Sequence, residues 1–134
     1  MAYAGYLIKV GNYTIPLSMI RADSYSAFMS ITDLDSFVDA NGYLHRNALE
    51  HTANKIEFET KAMLSNTEFA SLIGNIRSQF TKPGERKASV TCYIPELDTY
   101  QTQDMYMPDI KPSMYLASAT EIKYNPVRLA FIGY

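Results

Sequence analysis

The residues in this chain that could do chemistry are few, and their spacing completes no site. His45 and His51 stand six positions apart on either side of a predicted strand, without a third ligand at the spacing of a zinc site. Cys92 lies in an alternating β-pattern, which is typical of a small core residue and not of a reactive nucleophile. We therefore expect hydrogen-bonded or solvated histidines, a core cysteine and no zinc centre.

A run of acidic residues ahead of an Asn-Gly pair has part of the pattern of a calcium-binding loop. Such a loop needs acids at alternate positions before its glycine and a glutamate six residues beyond it. Asp33, Asp35 and Asp39 fit in part, but Phe37 and Ala48 occupy two of the required positions. An acidic turn is therefore the preferred interpretation, with a calcium site as the alternative.

Catalytic signatures of other kinds do not occur in the sequence. It has no Gly-x-Ser-x-Gly elbow and no glycine-rich phosphate loop, and its serines, histidines and aspartates have no recognisable arrangement. We predict that the protein is not an enzyme and that it uses no cofactor, metal or small-molecule substrate.

Composition narrows the class of protein further. The chain has 134 residues, of which 47% are hydrophobic and 19% charged, so it can build the core of one ordinary domain, predicted to span residues 1–134. A net charge of −2 and a single cysteine argue against a surface for nucleic acid and against a disulfide framework. No apolar run approaches the roughly 20 residues of a membrane span, and no secretory signal opens the chain. We expect a soluble, intracellular or assembled domain with no membrane partner.

Hydrophobic alternation with a period of two predicts strands over most of the chain. Tyr6–Val10 and Tyr13–Ile15 flank Gly11-Asn12 and are typical of a hairpin. Asn41-Gly42 predicts a second hairpin through a type I′ turn, because both central residues of that turn need a positive φ. The clearest strand is Lys55–Lys61, which has apolar residues on one face and charged residues on the other.

A single helix is predicted over about residues 66–80. Ser65 and Glu68 fit a capping box at its start, and a Pro-Gly pair follows its end. Apolar residues at helical spacing form one stripe, which we expect to pack on the sheet face that bears Ile56 and Phe58. The stripe consists of Phe69, Leu72, Ile73, Ile76 and Phe80.

The last third of the sequence returns to strand patterns. Prolines fall between the runs, where a missing backbone amide disturbs no ladder. The predicted strands are Ala88–Ile94, Tyr100–Met107, Ser113–Lys123 and Val127–Ile132. Roughly eight strands and one helix predict a mainly β (α+β) protein, an antiparallel β-sandwich or split barrel with one flanking α-helix.

Tyrosine and methionine are abundant, with 11 and 7 copies, and both residue types are enriched at protein interfaces. Met105-Tyr106-Met107 is the densest cluster, and Met114-Tyr115 follows it. The segment Ser30–Leu44 also combines apolar residues with acids and lacks clean alternation. Self-association is the favoured interpretation; the alternative is that half of the tyrosines and methionines are core positions. The predicted subunit contacts are Phe37, Val38, Tyr43, Met105, Tyr106 and Met107.

The order of these motifs resembles that of a family of short uncharacterised proteins from phages and prophages, whose genes lie among tail genes. The resemblance extends loosely over most of the chain and assigns no functional residue position by position. It is carried by Gly11–Pro16, Gly42–Arg46, Lys55–Phe58, Leu64–Phe69, Val90–Pro95 and Met105–Asp109.

The resemblance implies a tail structural protein similar to tail-tube and distal-tail ring proteins, or to an adjacent baseplate or tail-completion component. It implies a ring or tube built from copies of the chain, expected to be hexameric, with other phage tail proteins as partners and non-specific passage of DNA. It also implies a place in the virion after assembly in the host cytoplasm. The alternative from another class is a monomeric β-sandwich binding module for carbohydrate or peptide, with a small hydrolase as the weakest option.

In the ring hypothesis, the segment Ser30–Leu44 leaves the domain as a loop or hairpin and packs on a neighbouring subunit. Asp33, Asp35 and Asp39 would suit a rim or a pore wall, where acidic groups repel the phosphates of passing DNA. The alternative is an ordinary surface loop that closes over its own core.

Overall fold

A computed structural model describes residues 3–31 and 33–134 and has a mainly β fold with one α-helix. Its strands are β1 (Ile8–Val10), β2 (Tyr13–Thr14), β3 (Ser26–Ser30), β4 (Phe37–Val38), β5 (Leu44–His45), β6 (Ala53–Glu59), β7 (Leu64–Ser65), β8 (Lys87–Ile94), β9 (Thr99–Tyr106), β10 (Met114–Ala117), β11 (Ile122–Tyr124) and β12 (Arg128–Gly133). The helix α1 spans Asn66–Arg77, and short 3-10 helices lie at Leu17–Met19 and Ala22–Ser24.

Seven of these strands form the main sheet, in the order β2-β1-β8-β9-β12-β6-β3, with every neighbouring pair antiparallel. The strand β3 is an edge of this sheet, yet the Tyr25 hydroxyl just before it donates a hydrogen bond to the Tyr93 carbonyl of β8 at 2.6 Å. The sheet must therefore curl until its β3 edge approaches β8, as in a split barrel. The predicted fold class is confirmed.

The strand β6 carries the alternation that its sequence predicts. Ile56 and Phe58 are almost fully buried and lie opposite Phe131 and Leu129 of β12. Its charged residues are half-buried on the other face, where Glu57 pairs with Lys55 and with Arg128. The strand starts before the predicted Lys55 and ends at Glu59, so Lys61 lies outside it.

The helix begins as predicted and ends three residues early, at Arg77 and not at 80. Ser65 accepts the Glu68 amide at 3.2 Å and Glu68 accepts the Ser65 amide at 3.4 Å, which completes the capping box. The end is early because Phe80 donates to the Arg77 carbonyl, an i to i−3 bond that tightens the last turn out of α geometry. The buried stripe is Phe69, Leu72 and Ile76, with Ile73 and Phe80 partly buried against the core.

Gln79, just beyond the helix, ties the helix to the first hairpin. Its side-chain oxygen accepts the Asn12 amide at 3.0 Å. Gly11 in the same turn has a φ of +58°, and a Cβ there would lie 2.6 Å from that oxygen. Both the backbone conformation and the close approach of Gln79 therefore require glycine at this position.

The hairpin at Asn41-Gly42 exists, but the predicted type I′ turn is wrong. Asp39 and Tyr43 close a three-residue loop, in which the Gly42 amide donates to the Asp39 carbonyl at 3.0 Å and Gly42 alone has a positive φ, +85°. The Asp39 carboxylate accepts the amides of Asn41 and Tyr43, and these bonds favour a type I turn followed by a left-handed glycine.

The predicted strand Ser113–Lys123 is a hairpin of two strands, β10 and β11. Ser118 breaks the run because its hydroxyl accepts the amides of Thr120 and Glu121, and its own amide donates to the Glu121 carbonyl. The hairpin joins β7 in a small three-stranded sheet, and β4 pairs with β5 in another sheet of two strands. The described residues thus form more strands than the roughly eight predicted, because several are only two or three residues long.

Candidate subunit interface

The segment that connects β3 to β6, residues 31–52, is called the arm here; position 32 lies outside the described residues. The exposed fractions of Phe37, Val38 and Tyr43 are 58%, 63% and 72%. Other large apolar side chains of the arm are also exposed: Ile31, Leu34, Leu44 and Leu49. The apolar residues of the arm therefore face away from the core of their own subunit.

The arm has its own internal contacts. The rings of Phe37 and His45 stack at 4.8 Å, and His45 Nε2 lies 2.7 Å from a carboxylate oxygen of Asp39. Arg46 donates to both carboxylate oxygens of Asp33, at 2.8 and 3.2 Å. These contacts make the arm an ordered hairpin, in which β4 and β5 form the distal part.

Two of the four acids of the arm, Asp33 and Asp39, are engaged within it. The guanidinium of Arg46 holds the pKa of Asp33 below its ordinary value of 3.8. The hydrogen bond from His45, followed by backbone amides, lowers the pKa of Asp39 from the same value. No group of three or more metal-ligating side chains converges anywhere in residues 3–31 and 33–134. Asp33 and Asp39 are thus held within the arm by Arg46 and His45.

Met105 and Met107 require a correction, because both are almost fully buried. Alternation along β9 directs Met105 inward beside Ala88 of β8, and Met107 continues into the core after the strand ends. Tyr106, between them, points to the outer face and is half-buried, with its ring edge-on to Tyr134 at 5.7 Å. The two methionines are core residues of the subunit and present no surface to a neighbour.

A second exposed apolar region includes Met114 and Tyr115, which the sequence analysis noted but did not count among the predicted contacts. The hairpin of β10 and β11, residues 114–124, is called the distal hairpin here. Met114, Tyr115 and Leu116 are consecutive and all exposed, so side chains on both faces of β10 are uncovered. The available signal was the run of three large apolar residues with no polar residue between them.

The other candidate residues do not converge on a common site. His51 Nε2 lies 2.5 Å from the Tyr134 carbonyl, at the base of the arm, whereas His45 lies in its distal part. Cys92 is fully buried, and desolvation raises the pKa of its thiol to about 12. Both findings agree with the structural roles expected from the sequence.

No helix of the described residues is long and apolar enough to cross a membrane.

A small cavity opens beside β6 and β12. The cavity has a volume of about 200 Å³, below the roughly 300–1,000 Å³ of typical ligand sites. Its lining residues are Ser24, Glu57, Phe58, Glu59 and Arg128.

Comparison with known proteins gives one fold relationship and one family. The chain is similar to a chain in a solved structure described as "Tail of empty GTA particle computed with helical refinement, C6 symmetry". The similarity has a TM-score of 0.52 at 15% identity and covers 97% of this chain and 91% of that one, so it concerns the fold. No curated protein matches the chain. The profile of the family of unknown function DUF6711 matches residues 1–134, and the chain therefore belongs to that family.

Proposed function

We propose that this protein is a bacteriophage tail structural protein whose copies assemble into a hexameric ring or a tube through which DNA passes. The observation that carries the proposal is the arm, an ordered hairpin that exposes its apolar side chains to solvent. The fold supports it, because a chain of similar fold belongs to a tail with six-fold symmetry. The finer assignment, tail tube, distal tail or an adjacent tail component, is part of the same proposal.

The exposed apolar area of the arm is large for a surface loop. Aromatic side chains present about 150–250 Å² each, so Phe37 and Tyr43, at 58% and 72% exposure, offer on the order of 200–300 Å². Val38 and Leu44, which pair in the same hairpin, expose further apolar area on its other face. Monomers rarely expose patches above about 300–600 Å², and larger patches mark interaction sites. Phe37, Val38 and Tyr43 are accordingly the proposed subunit contacts.

The charges of the chain suit contact with other subunits and weak contact with DNA. The net charge is −2, so phosphates gain no strong attraction from the subunit as a whole. A ring subunit offers two different patches to its two neighbours, and repetition of this contact closes the ring. Such a role requires no enzymatic site. Under this proposal the protein acts in the virion, after assembly in the host cytoplasm, beside other tail proteins.

A monomeric binding module would need tyrosines that line an open groove. Tyr6 and Tyr100 instead stack on each other at 4.6 Å, and the Tyr100 hydroxyl donates to the Tyr6 carbonyl at 2.7 Å. Tyr93 packs edge-on to Tyr100 and donates its hydroxyl to Asp98. These tyrosines hold the first residues of the chain against the sheet, which leaves the tail proposal as the better-supported one.

The proposal is tested by following assembly of the purified protein with rising concentration. Light scattering and electron microscopy are expected to find rings with six-fold symmetry, or tubes, with a central pore. The double variant Phe37→Asp/Val38→Asp is expected to remain a folded monomer. Leu97→Asp, at an exposed leucine in the turn between β8 and β9, is the control and should assemble normally. A wild-type protein that remains monomeric at every concentration would contradict the proposal.

A further inference from the structure

We propose that the arm of one copy docks on the distal hairpin of a second copy, in a head-to-tail contact. This inference rests on the proposed function and adds the acceptor surface, which the fold similarity does not identify. It follows from where the two hairpins leave the sheet, from their exposure and from their charges.

The arm leaves the main sheet at one end of β6, and the distal hairpin rejoins the sheet through β12 at the other end. The arm joins Ser30 to Ala53, which pair with each other at the first residue of β6. The distal hairpin is held at the other end, where Arg128 of β12 pairs with Glu59 and where β11 pairs with β7. Six residue steps of a strand separate these ends, a distance of about 20 Å. A contact between the two hairpins of neighbouring copies would therefore run along the strand axis.

The distal hairpin has the features of an acceptor. The strand β10 lies at the edge of its three-stranded sheet, so one side of its backbone has no neighbouring strand in the described residues. It contains no charged residue that would blunt this edge, and Met114, Tyr115 and Leu116 are all exposed. An apolar hairpin from another copy could cover these side chains or extend the sheet edge.

Charge favours contact between unlike hairpins over contact between two arms. The arm contains four acidic residues and one arginine, a net charge of −3 with neutral histidines. Residues 110–125, which include the distal hairpin, contain two lysines and one glutamate, a net charge of +1. Lys111 there, like Asp35 and Glu50 in the arm, forms no ion pair in residues 3–31 and 33–134. Two arms would repel each other, whereas the distal hairpin is itself neutral and lies beside Lys111, so it does not repel the arm.

A contact of this kind uses a different patch on each partner. After each addition the growing assembly keeps one free arm at one end and one free distal hairpin at the other, so the contact propagates from copy to copy. Blocking one patch on one copy stops growth in a single direction only, and this property makes the inference testable.

The test is complementation between two variants. Phe37→Asp/Val38→Asp removes the apolar contacts of the arm, and Tyr115→Asp/Leu116→Asp removes those of the distal hairpin. Each variant alone should stay monomeric, because each lacks one partner of the contact. An equimolar mixture should form a dimer, seen as a doubling of mass by analytical ultracentrifugation, and no larger species, because only one intact arm meets one intact distal hairpin.

Cysteine cross-linking provides an independent measurement that needs no aspartate variant to fold. A mixture of Val38→Cys and Leu116→Cys proteins should give a disulfide-linked dimer under mild oxidation, whereas Val38→Cys with Leu97→Cys should not. The native Cys92 is buried and should remain unreacted.

The possible outcomes separate the inference from the proposed function. If wild-type rings form but the mixture stays monomeric and Val38→Cys fails to link to Leu116→Cys, the inference is overturned and the tail proposal stands. Assembly of the distal-hairpin variant by itself would also overturn the inference. A wild-type protein that never assembles contradicts the proposed function. If Val38→Cys also fails to link to Leu116→Cys, the inference is contradicted as well.

Discussion

The side-chain oxygen of Gln103 accepts the backbone amide of Asn54 at 2.8 Å, although β9 and β6 are separated in the sheet by β12. The amide group of Gln103 also donates to the Thr52 carbonyl at 3.2 Å. This bridge passes over Gly133, the last residue of β12, which has no side chain in the way. The base of the arm is thereby fastened to the centre of the sheet.

Replacement of Gly133 by alanine should destabilise the protein by about 1–3 kcal/mol, the range for overpacked interior sites. A Cβ at this position would lie 2.9 Å from the Asn54 amide nitrogen and would also collide with the Gln103 side-chain oxygen. Chemical denaturation measures the change in the free energy of unfolding. Gly84→Ala, where a Cβ would have open space, is the control and should stay within about 0.5 kcal/mol of wild type.

Replacement of Gly74 by alanine should have the opposite effect. Gly74 lies on the exposed side of α1, and a Cβ there would meet no atom within 4 Å. Alanine is favoured over glycine in a helix interior by about 1 kcal/mol, so the free energy of unfolding should rise by that amount. Thermal denaturation of the monomer would record a higher midpoint; an unchanged or lower midpoint contradicts the open surroundings described for this position.

Truncation of Leu72 to alanine should lower the free energy of unfolding by about 2–5 kcal/mol, because the variant leaves a cavity in the core. Leu72 of α1 is almost fully buried in the hydrophobic core. Ser71→Ala, on the exposed face of the same helix turn, should change stability by no more than about 0.5 kcal/mol. Equal effects of the two substitutions would mean that α1 buries a different face.

Acid should loosen the arm before it unfolds the sheet. The pKa values of Asp33 and Asp39 are held below their ordinary 3.8 by Arg46 and His45. A lowered pKa in the folded state stabilises the arm at pH above 3.8, and this contribution is lost as the pH falls below that value through the folded-state pKa. Limited digestion with pepsin as the pH is lowered should cut the arm first. In Asp39→Asn, cleavage should begin at a higher pH than in wild type, since the carboxylate that His45 and the backbone amides contact is already gone.

Local signals account for the parts of the fold that the sequence predicts. The capping box of Ser65 and Glu68 and the alternation around Ile56 and Phe58 depend on neighbouring residues alone, and both appear as expected. The exposure of the arm was also predictable, because Ser30–Leu44 lacks the alternation of a strand with one buried face. The contact of the arm with another subunit stays a prediction.

Long-range pairing decides the parts that the sequence could not predict. An alternating run such as Tyr100–Met107 does not reveal which of its faces a distant strand or helix will cover, so Met105 and Met107 were mistaken for surface residues. The split of Ser113–Lys123 depends on the hydroxyl of Ser118 and on pairing with β7, which lies far away in the chain. A short polar residue such as Ser118 can occur in a strand or in a turn, and only the pairing of distant strands decides between the two.

The stacking of Phe37 on His45 and the Asp33–Arg46 pair have a thermodynamic consequence for association. A segment that is ordered before it meets its partner loses little chain entropy on binding, so less of the contact free energy is spent on folding. Association should then resemble docking of rigid bodies, with a heat-capacity change that matches only the apolar surface covered and lacks the excess of coupled folding. Subunits built in this way can add one after another without a folding step between additions.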